Sequence, residues 1–474
     1  MHRSIVLLLC LMLLTGCAAP AQAASPVNPD VMFTSRDLRT SWDAPEAVRI
    51  TLTGASAACS DPSVRIAGGT VTVTREGTYV LSGRLDNGTV IIDCGKNDKV
   101  QLVLDNAVIH ADTFAAIHVR QADKVFITLA DGSSNTLSNG GRFVQIDKHD
   151  VASVIYSRDD LTVNGSGSLT IVSPAGHGID TKDDLVITGG TFHIDAASHG
   201  LAANDSVRIR SASMHIAAGK DGMQAENDED AALGFVYIES GSFDVTAGDD
   251  GVSATSDVLI TGGAFRIGCT GDALHADSLL TVTGGTIDVS SSNEGLEGNS
   301  VAVTGGAISV VSTDDGVNAA DGDIRISGGT LYVNAEGDGL DANGSIAVSG
   351  GTVTVAGPSR PGNAPIDYDK TAVISGGTVI AYGSDSMVQH FSPDSTQGAM
   401  LLTFRPQPAG TAISVTDASG RQLLAATADK PFSALVVSCP ELILGQAYTV
   451  RIGDTETAIT LDPLVYPAET RRRH

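Results

Sequence analysis

Aromatic residues make up only 4% of this 474-residue chain, and Trp42 is its single tryptophan. No aromatic platform for stacking a neutral glucan is visible; Tyr237, Tyr332, Tyr368 and Tyr382 read as strand residues that pack. Cysteine is sparse too, with six in all, no Cys-x-x-Cys and no Cys/His box of the kind that holds zinc. Basic residues are outnumbered, 29 Lys and Arg against 55 Asp and Glu, and the net charge of −26 argues against direct binding of nucleic acid or an anionic membrane. No stretch carries apolar residues at helical spacing over ten or more positions, which excludes helical and leucine-rich repeats.

What the chain has instead is glycine, 53 of them, in a repeat. DDLVITGGTFHIDA, SDVLITGGAFRIGC, NSVAVTGGAISVVS and NGSIAVSGGTVTVA say nearly the same thing. From Gly262 through Gly284, Gly305 and Gly328 to Gly350 the Gly-Gly pairs recur every 22, 21, 23 and 22 residues. A unit too small to fold alone, repeated at a fixed period, is a solenoid. Each unit holds two runs that alternate apolar and polar residues, with Gly-Gly supplying a positive-φ corner between them. The fold class is therefore all-β, a right-handed parallel β-helix with rungs of about 22 residues, its hand set by the rule for parallel crossovers.

The flanks differ. Arg3 followed by the apolar run Ile5 to Leu14 reads as a signal peptide, too short to span a membrane. Leu14-Thr15-Gly16-Cys17 resembles a bacterial lipobox, which predicts lipidation of Cys17 and an extracytoplasmic, membrane-tethered cell-surface protein. The predicted organisation is a lipoprotein signal peptide over 1–16, a flexible tether over 17–30, the β-helix with its N-terminal cap over 31–394 and a small β-sandwich-like module over 395–474. Export permits disulfides, and Cys59 with Cys94 is a conceivable bridge. Acidic insertion Glu226 to Leu233 and the Pro/Gly-rich segment Gly357 to Asp369 read as loops.

Aligning the repeats on their Asp-Gly dipeptides exposes columns. Val252, Leu274, Leu296, Val317 and Leu340 follow the glycine (or Ala273) and should stack inside. The residue before it is His177, His199, Asp221, Asp250, Asp272, Glu294, Asp315 or Asp338, and Glu297, Asn318 and Asp341 are among those expected to point outward. Rungs lie about 4.8 Å apart, so the carboxylates of one column crowd each other, and a cation can relieve them. Calcium takes oxygen ligands at about 2.3–2.6 Å and can be shared between neighbouring rungs. Candidate groupings are Asp249 and Asp250 with Asp272 and Glu294, then Glu294 and Glu297 with Asp314 and Asp315, then Asp315 with Asp338 and Asp341. His275 reads as a turn residue. The bland alternative is that Asp-Gly is a turn dipeptide whose carboxylates cap corners without metal.

Several runs outside the repeat carry a resemblance. Phe33-Thr34-Ser35-Arg36-Asp37-Leu38, Gly77-Thr78-Tyr79-Val80-Leu81-Ser82-Gly83, Asp98-Lys99-Val100-Gln101-Leu102-Val103-Leu104, Tyr156-Ser157-Arg158-Asp159-Asp160-Leu161 and Glu226-Asn227-Asp228-Glu229-Asp230 occur in this order. With the Asp-Gly repeats, they resemble the secreted carbohydrate-binding domain-containing β-helix proteins over roughly residues 31–465. The resemblance implies a polysaccharide-lyase-like topology, bound calcium, and binding of acidic, pectin-like polysaccharide and cellulose without catalysis. His177 and His199, which stand where the family has acids, and Ala273, which replaces the glycine, depart from the pattern.

Three readings follow: a calcium-dependent carbohydrate binder, expected to be monomeric; a pectate-type lyase; and a structural or adhesive surface solenoid. A lyase needs calcium and a Lys or Arg base. Lys182 and Lys220 are the candidates for that base, but few basic residues stand in register to complete a site. If Cys17 carries the anchor, Cys17→Ala should move the protein from the membrane fraction to the soluble exported fraction on cell fractionation; unchanged membrane association would require another tether.

Overall fold

The computed structural model describes residues 27–146, 148 and 150–467. Cys17, the tether up to residue 26 and the Arg471-Arg472-Arg473-His474 tail lie outside the described residues. The body is a parallel β-solenoid of about 14 turns with rungs of about 23 residues. A representative turn consists of three strands, His177–Thr181, Asp184–Ile187 and Thr191–Ala196. Each pairs in parallel with its equivalent one turn on, Leu201–Ala203, Ser206–Ile209 and Ser213–Ala218. The three strands give the solenoid a first, second and third face.

Alternation decides which side chains go in. In Thr191–Ala196, Phe192, Ile194 and Ala196 are buried and the residues between them exposed. Stacking then repeats the choice on each rung, so that Phe192, Met214, Phe243 and Phe265 form one interior column. The Phe243 and Phe265 rings stack with centroids 4.6 Å apart.

The two glycine types serve different ends. The second glycine of Gly-Gly has positive φ, for example 79° at Gly329, where a β-carbon is strained. The Asp-Gly glycine is not left-handed. A Cβ on Gly316 would sit 2.1 Å from Val333 Cγ1, so this glycine is required by crowding against the third-face interior rather than by a turn. The turn-dipeptide account of Asp-Gly is thereby corrected.

The N-terminal segment crosses the outside of the second face. Val27 and Met32 pack with Phe235, Tyr237 and Leu259, and the Phe33 ring lies 5.9 Å from that of Tyr237. Further on, Arg36 lies over the Phe126 ring at 4.0 Å. Asp37, 1% exposed, accepts from Thr162 Oγ1 at 2.6 Å and from the Thr34 N–H at 2.9 Å. It also meets Lys124 Nζ at 3.0 Å. Burial alone would raise its pKa, but these hydrogen bonds and Lys124 prevail and hold it at about 2. Parallel pairing begins at Val48–Gly54 against Gly77–Leu85.

At the other end, Phe432–Ser438 pairs antiparallel with the last solenoid strand, Ala372–Gly383, and with Ala399–Gln407. An antiparallel sheet in the order Gln422–Thr427, Ala412–Asp417, Ala447–Ile452, Thr455–Thr460 packs on it around Val415, Leu435, Tyr448 and Val450. The open edge of the ladder is thus covered. Cys59, Cys94, Cys269 and Cys439 are all free thiols, so the Cys59–Cys94 bridge does not form. Cys94 is buried, which pushes its pKa up to about 12.

Leu296 is fully buried between Leu274 and Val317. Leu296→Ala should cost about 2–5 kcal/mol in denaturant unfolding. Leu296→Asp, which buries an unpaired carboxylate, should cost more. Equal stability of the Asp variant and the parent would overturn the assigned register.

Candidate metal-binding ladder on the first face

The strands after Asp-Gly form the first face. Val252, Leu274, Leu296, Val317 and Leu340 stack inside it, each at most 1% exposed. The column facing outward runs Asp180, Ala202, Gln224, Ser253, His275, Glu297, Asn318, Asp341. It is less open than alternation alone suggests. Asp180 and Ala202 are buried and the others only partly exposed.

Beside this column stands a ladder of acids, and its members hold the backbone of the next rung. Asp221 Oδ1 accepts from the Asp250 N–H at 3.0 Å. Asp250 Oδ1 accepts from Asp272 at 2.8 Å, Asp272 Oδ1 from Glu294 at 2.9 Å and Asp315 Oδ1 from Asp338 at 2.6 Å. One carboxylate oxygen is therefore a corner cap; the second of Asp221 meets His199 Nδ1 at 3.0 Å and that of Asp272 faces His275 Nδ1 at 3.5 Å.

Four groups bring possible ligand atoms within 4.8 Å of one another: Asp221, Asp249 and Asp250; Asp250, Asp272 and His275; Asp272, Glu294 and Glu297; and Asp315, Asp338 and Asp341. Glu294 meets Asp272 and Glu297 rather than Asp249 and Asp250. Asp314 is exposed and joins none of these groups. Asp221 and His275 are additions that the sequence reading left aside. The signal for His275 was its place in the outward column, one rung before Glu297.

His275 is no turn residue: it lies on the strand Leu274–Val282. Its Nδ1 is 2.5 Å from Glu297 Oε2 and 3.5 Å from Asp272 Oδ2, and its Nε2 is 2.9 Å from Asp277 Oδ1. Hydrogen bonds to Asp272 and Glu297 raise its pKa to about 11, so an imidazolium serves as resident cation there. For Asp272 burial pushes upward, and bonds from His275 and Glu297 outweigh it, leaving a net lowering. Asp315, Asp338 and Asp341 have no such neighbour. Burial first, then the surrounding acids, raises Asp315 to about 6 and Asp338 to about 7, and Asp341 upward as well. Burial likewise raises Asp250 to about 6 and Glu294 to about 8.

The early rungs are built differently. His177 and His199 stack with ring centroids 5.0 Å apart, and His199 Nδ1 is 3.0 Å from Asp221 Oδ2. Lys182 Nζ is 3.0 Å from Asp180 Oδ1. Lys220 is exposed in the turn just before Asp221. Neither lysine belongs to one of the four carboxylate groups. The tyrosines are committed elsewhere. Tyr237 is buried under the N-terminal segment, Tyr332 and Tyr382 bond Asp429 at 2.9 and 3.1 Å, and the Tyr368 hydroxyl donates to the His390 carbonyl.

These shifts fix a pH dependence. The folded ladder keeps protons up to pH 6–8 that the unfolded chain releases near pH 4. The unfolded state therefore binds fewer protons in this window, and stability falls as pH rises. His275 acts in the same direction: its contribution is complete below about pH 6.5 and is lost as pH climbs toward 11. In chelator, the melting temperature should be lower at pH 8 than at pH 5, and Glu294→Gln should flatten the difference. A melting temperature that rises over this range would contradict the ladder's electrostatics.

With this geometry established, comparison with known proteins places the chain. A family model described as "Carbohydrate-binding domain-containing protein" matches residues 67–316 and 267–395. A carbohydrate-binding domain-containing protein from Acetivibrio thermocellus is 39% identical over 128 residues, 27% of this chain and 45% of that protein. This chain thus spans less than half the length of that relative. Among solved structures, a gadolinium derivative of the polysaccharide lyase-like protein from C. thermocellum shares 32% identity at a TM-score of 0.49, covering 50% of this chain and 96% of the other. The two stretches matched by the family model overlap and run from residue 67 to 395, well over half of the molecule, and the chain belongs to the carbohydrate-binding domain-containing protein family.

Proposed function

We propose that this protein binds acidic, pectin-like polysaccharide outside the cytoplasm through calcium held on the first-face ladder, without turning the sugar over. The observation that carries the reading is the group Asp315, Asp338 and Asp341. Three carboxylates offer ligand oxygens within 4.8 Å of one another, and their pKa values are pushed upward by burial and then by surrounding acids, Asp367 among them. Only oxygen donors are present, the donor set that suits calcium rather than a softer metal. A divalent cation there would relieve the repulsion and keep coordination positions for a uronate carboxylate. It would also bridge two negative partners, since a surface at −26 otherwise repels a polyuronate. Asp272, Glu294 and Glu297 are a second candidate, in competition with the His275 imidazolium; Asp221, Asp249 and Asp250 are a third. Cellulose, a neutral glucan, has less support, because the tyrosines that could stack on it are packed or hydrogen-bonded. Lipidation at Cys17 would hold the binder at the cell surface.

The test is retention on immobilised polygalacturonate with and without calcium. We expect retention in calcium, loss in chelator, and weakening by at least about tenfold in the double variant Asp315→Asn with Asp338→Asn, each lost charge-assisted ligand contributing about 1.5–3 kcal/mol. Retention that ignores chelator would sink the calcium bridge. Release of unsaturated, ultraviolet-absorbing product, lost in Lys182→Ala or Lys220→Ala, would identify a lyase instead. Failure to bind any polysaccharide would leave the surface scaffold.

A further inference from the structure

The same face changes sign toward its N-terminal end. Ser157 pairs with Val119 on one side and Thr181 on the other, so the residues that follow them, Arg120, Arg158 and Lys182, occupy one position on three consecutive rungs. Backbone bonds fix that register: the Arg158 N–H donates to the Val119 carbonyl at 3.2 Å and the Lys182 N–H to the Ser157 carbonyl at 2.9 Å. The next two rungs carry Asn204 and Glu226 at this position, so the basic row ends there. Three cations stacked at rung spacing, about 4.8 Å, repel as the acids do farther along.

Beside this row is a cavity of about 490 Å³ lined by Lys96, Gln121, Asp123, Lys148, Arg158 and Asp159. Its two carboxylates are engaged. Asp159 Oδ2 accepts from the Ala122 N–H at 2.9 Å, and Asp123 pairs with Lys99. Lys182 is turned toward Asp180. None of the ion pairs found among the described residues includes Lys96, Lys148 or Arg158. All three side chains are exposed. In a molecule with 55 acids against 29 bases, cations gathered round a cavity without ion-pair partners of this kind are a place for an external anion.

We propose that this cavity is a calcium-independent subsite for the carboxylate of a uronic acid residue, with Arg158 as its main ligand and Lys96 and Lys148 as supporting charges. The guanidinium, whose Nη1 also donates to the Arg120 carbonyl at 3.4 Å, offers a planar fork that matches a carboxylate; Gln121 on the cavity wall commits its Nε2 to the Cys94 carbonyl at 2.7 Å and keeps its amide oxygen as an acceptor for a sugar hydroxyl. The subsite lies at the turn after the first-face strands, across that face from the acid ladder, which precedes them. An acidic chain laid across the rungs meets cations of the protein at one end and, through calcium, carboxylates at the other. The choice of uronate as the anion rests on the acidic-polysaccharide reading; the anion site itself rests on the cavity and the basic row.

The test uses the full chain in chelator at low ionic strength, with trigalacturonate and its fully methyl-esterified form as probes in isothermal titration. We expect the acid to bind and the ester to bind at least about tenfold more weakly. Arg158→Gln and the double variant Lys96→Gln with Arg158→Gln should each lose about tenfold or more in affinity for the acid, and added salt should weaken it further. Because these side chains are exposed, the variants should melt like the parent. No binding of the acid in chelator, equal binding of acid and ester, or parental affinity in the double variant overturns the subsite. Retention on polygalacturonate in calcium, measured on the same proteins, separates the two claims. If calcium-dependent retention holds while the trimer fails to bind in chelator, the subsite falls alone. If the trimer binds in chelator and retention never depends on calcium, the calcium reading falls alone.

Discussion

Parallel stacking at the spacing of one rung is the constraint on which this structure depends. Every residue on a strand lies against its equivalent one turn away, so each chemical choice is multiplied down the solenoid. Inside, multiplication favours stability: Val252, Leu274, Leu296, Val317 and Leu340 are each at most 1% exposed. Outside, it concentrates charge. The acids of the first face are brought within reach of one another by the same backbone bonds that hold the rungs together, and several of them, their pKa values raised by burial, cost stability when ionised.

The molecule handles that concentrated charge in two ways. One oxygen of Asp221, Asp250, Asp272 and Asp315 is tied to the next rung's N–H, which makes the carboxylate part of the corner. Where a cation is built in, as at His275, neighbouring acids pair with it. Asp315, Asp338 and Asp341 lack that partner, and on that ground an external cation is proposed there. The basic row at Arg120, Arg158 and Lys182 is the same arithmetic with the sign reversed. The two rows of opposite charge flank the first-face strands, the acids before them and the bases after them, and the proposed acidic polymer would engage each by different chemistry.

The ends follow from the same constraint. A parallel ladder exposes unpaired edges and apolar surface at its first and last rungs. Phe432–Ser438, added antiparallel to Ala372–Gly383, changes the direction of pairing at the C-terminal end. The N-terminal segment takes a different route, lying across the second face and fastened by Asp37 to Thr162 and Lys124. It covers Phe126, Tyr237 and Leu259 on the second face.

The repeat, its period, the strand alternation and the interior column after Asp-Gly were all legible in the sequence, because each is local or recurs at a fixed interval and stacking converts interval into contact. The acid ladder was legible for the same reason. Other features were not. Cys59 and Cys94 remain free thiols, since cysteine spacing says nothing of where two side chains point. His275 read as a turn residue because its partners Asp272, Glu297 and Asp277 meet it only when two rungs are superposed. Asp-Gly read as a turn, whereas at Gly316 the glycine answers to Val333 on another face of the same turn. Asp37 gave no sign that it would be buried against residues more than a hundred positions away. The sequence by itself determined the solenoid and its columns, which follow from period and alternation. Only the tertiary structure decided which carboxylates come within reach of one another, which glycines are required by crowding and which face the N-terminal segment covers, because those depend on distances between turns that no single repeat contains.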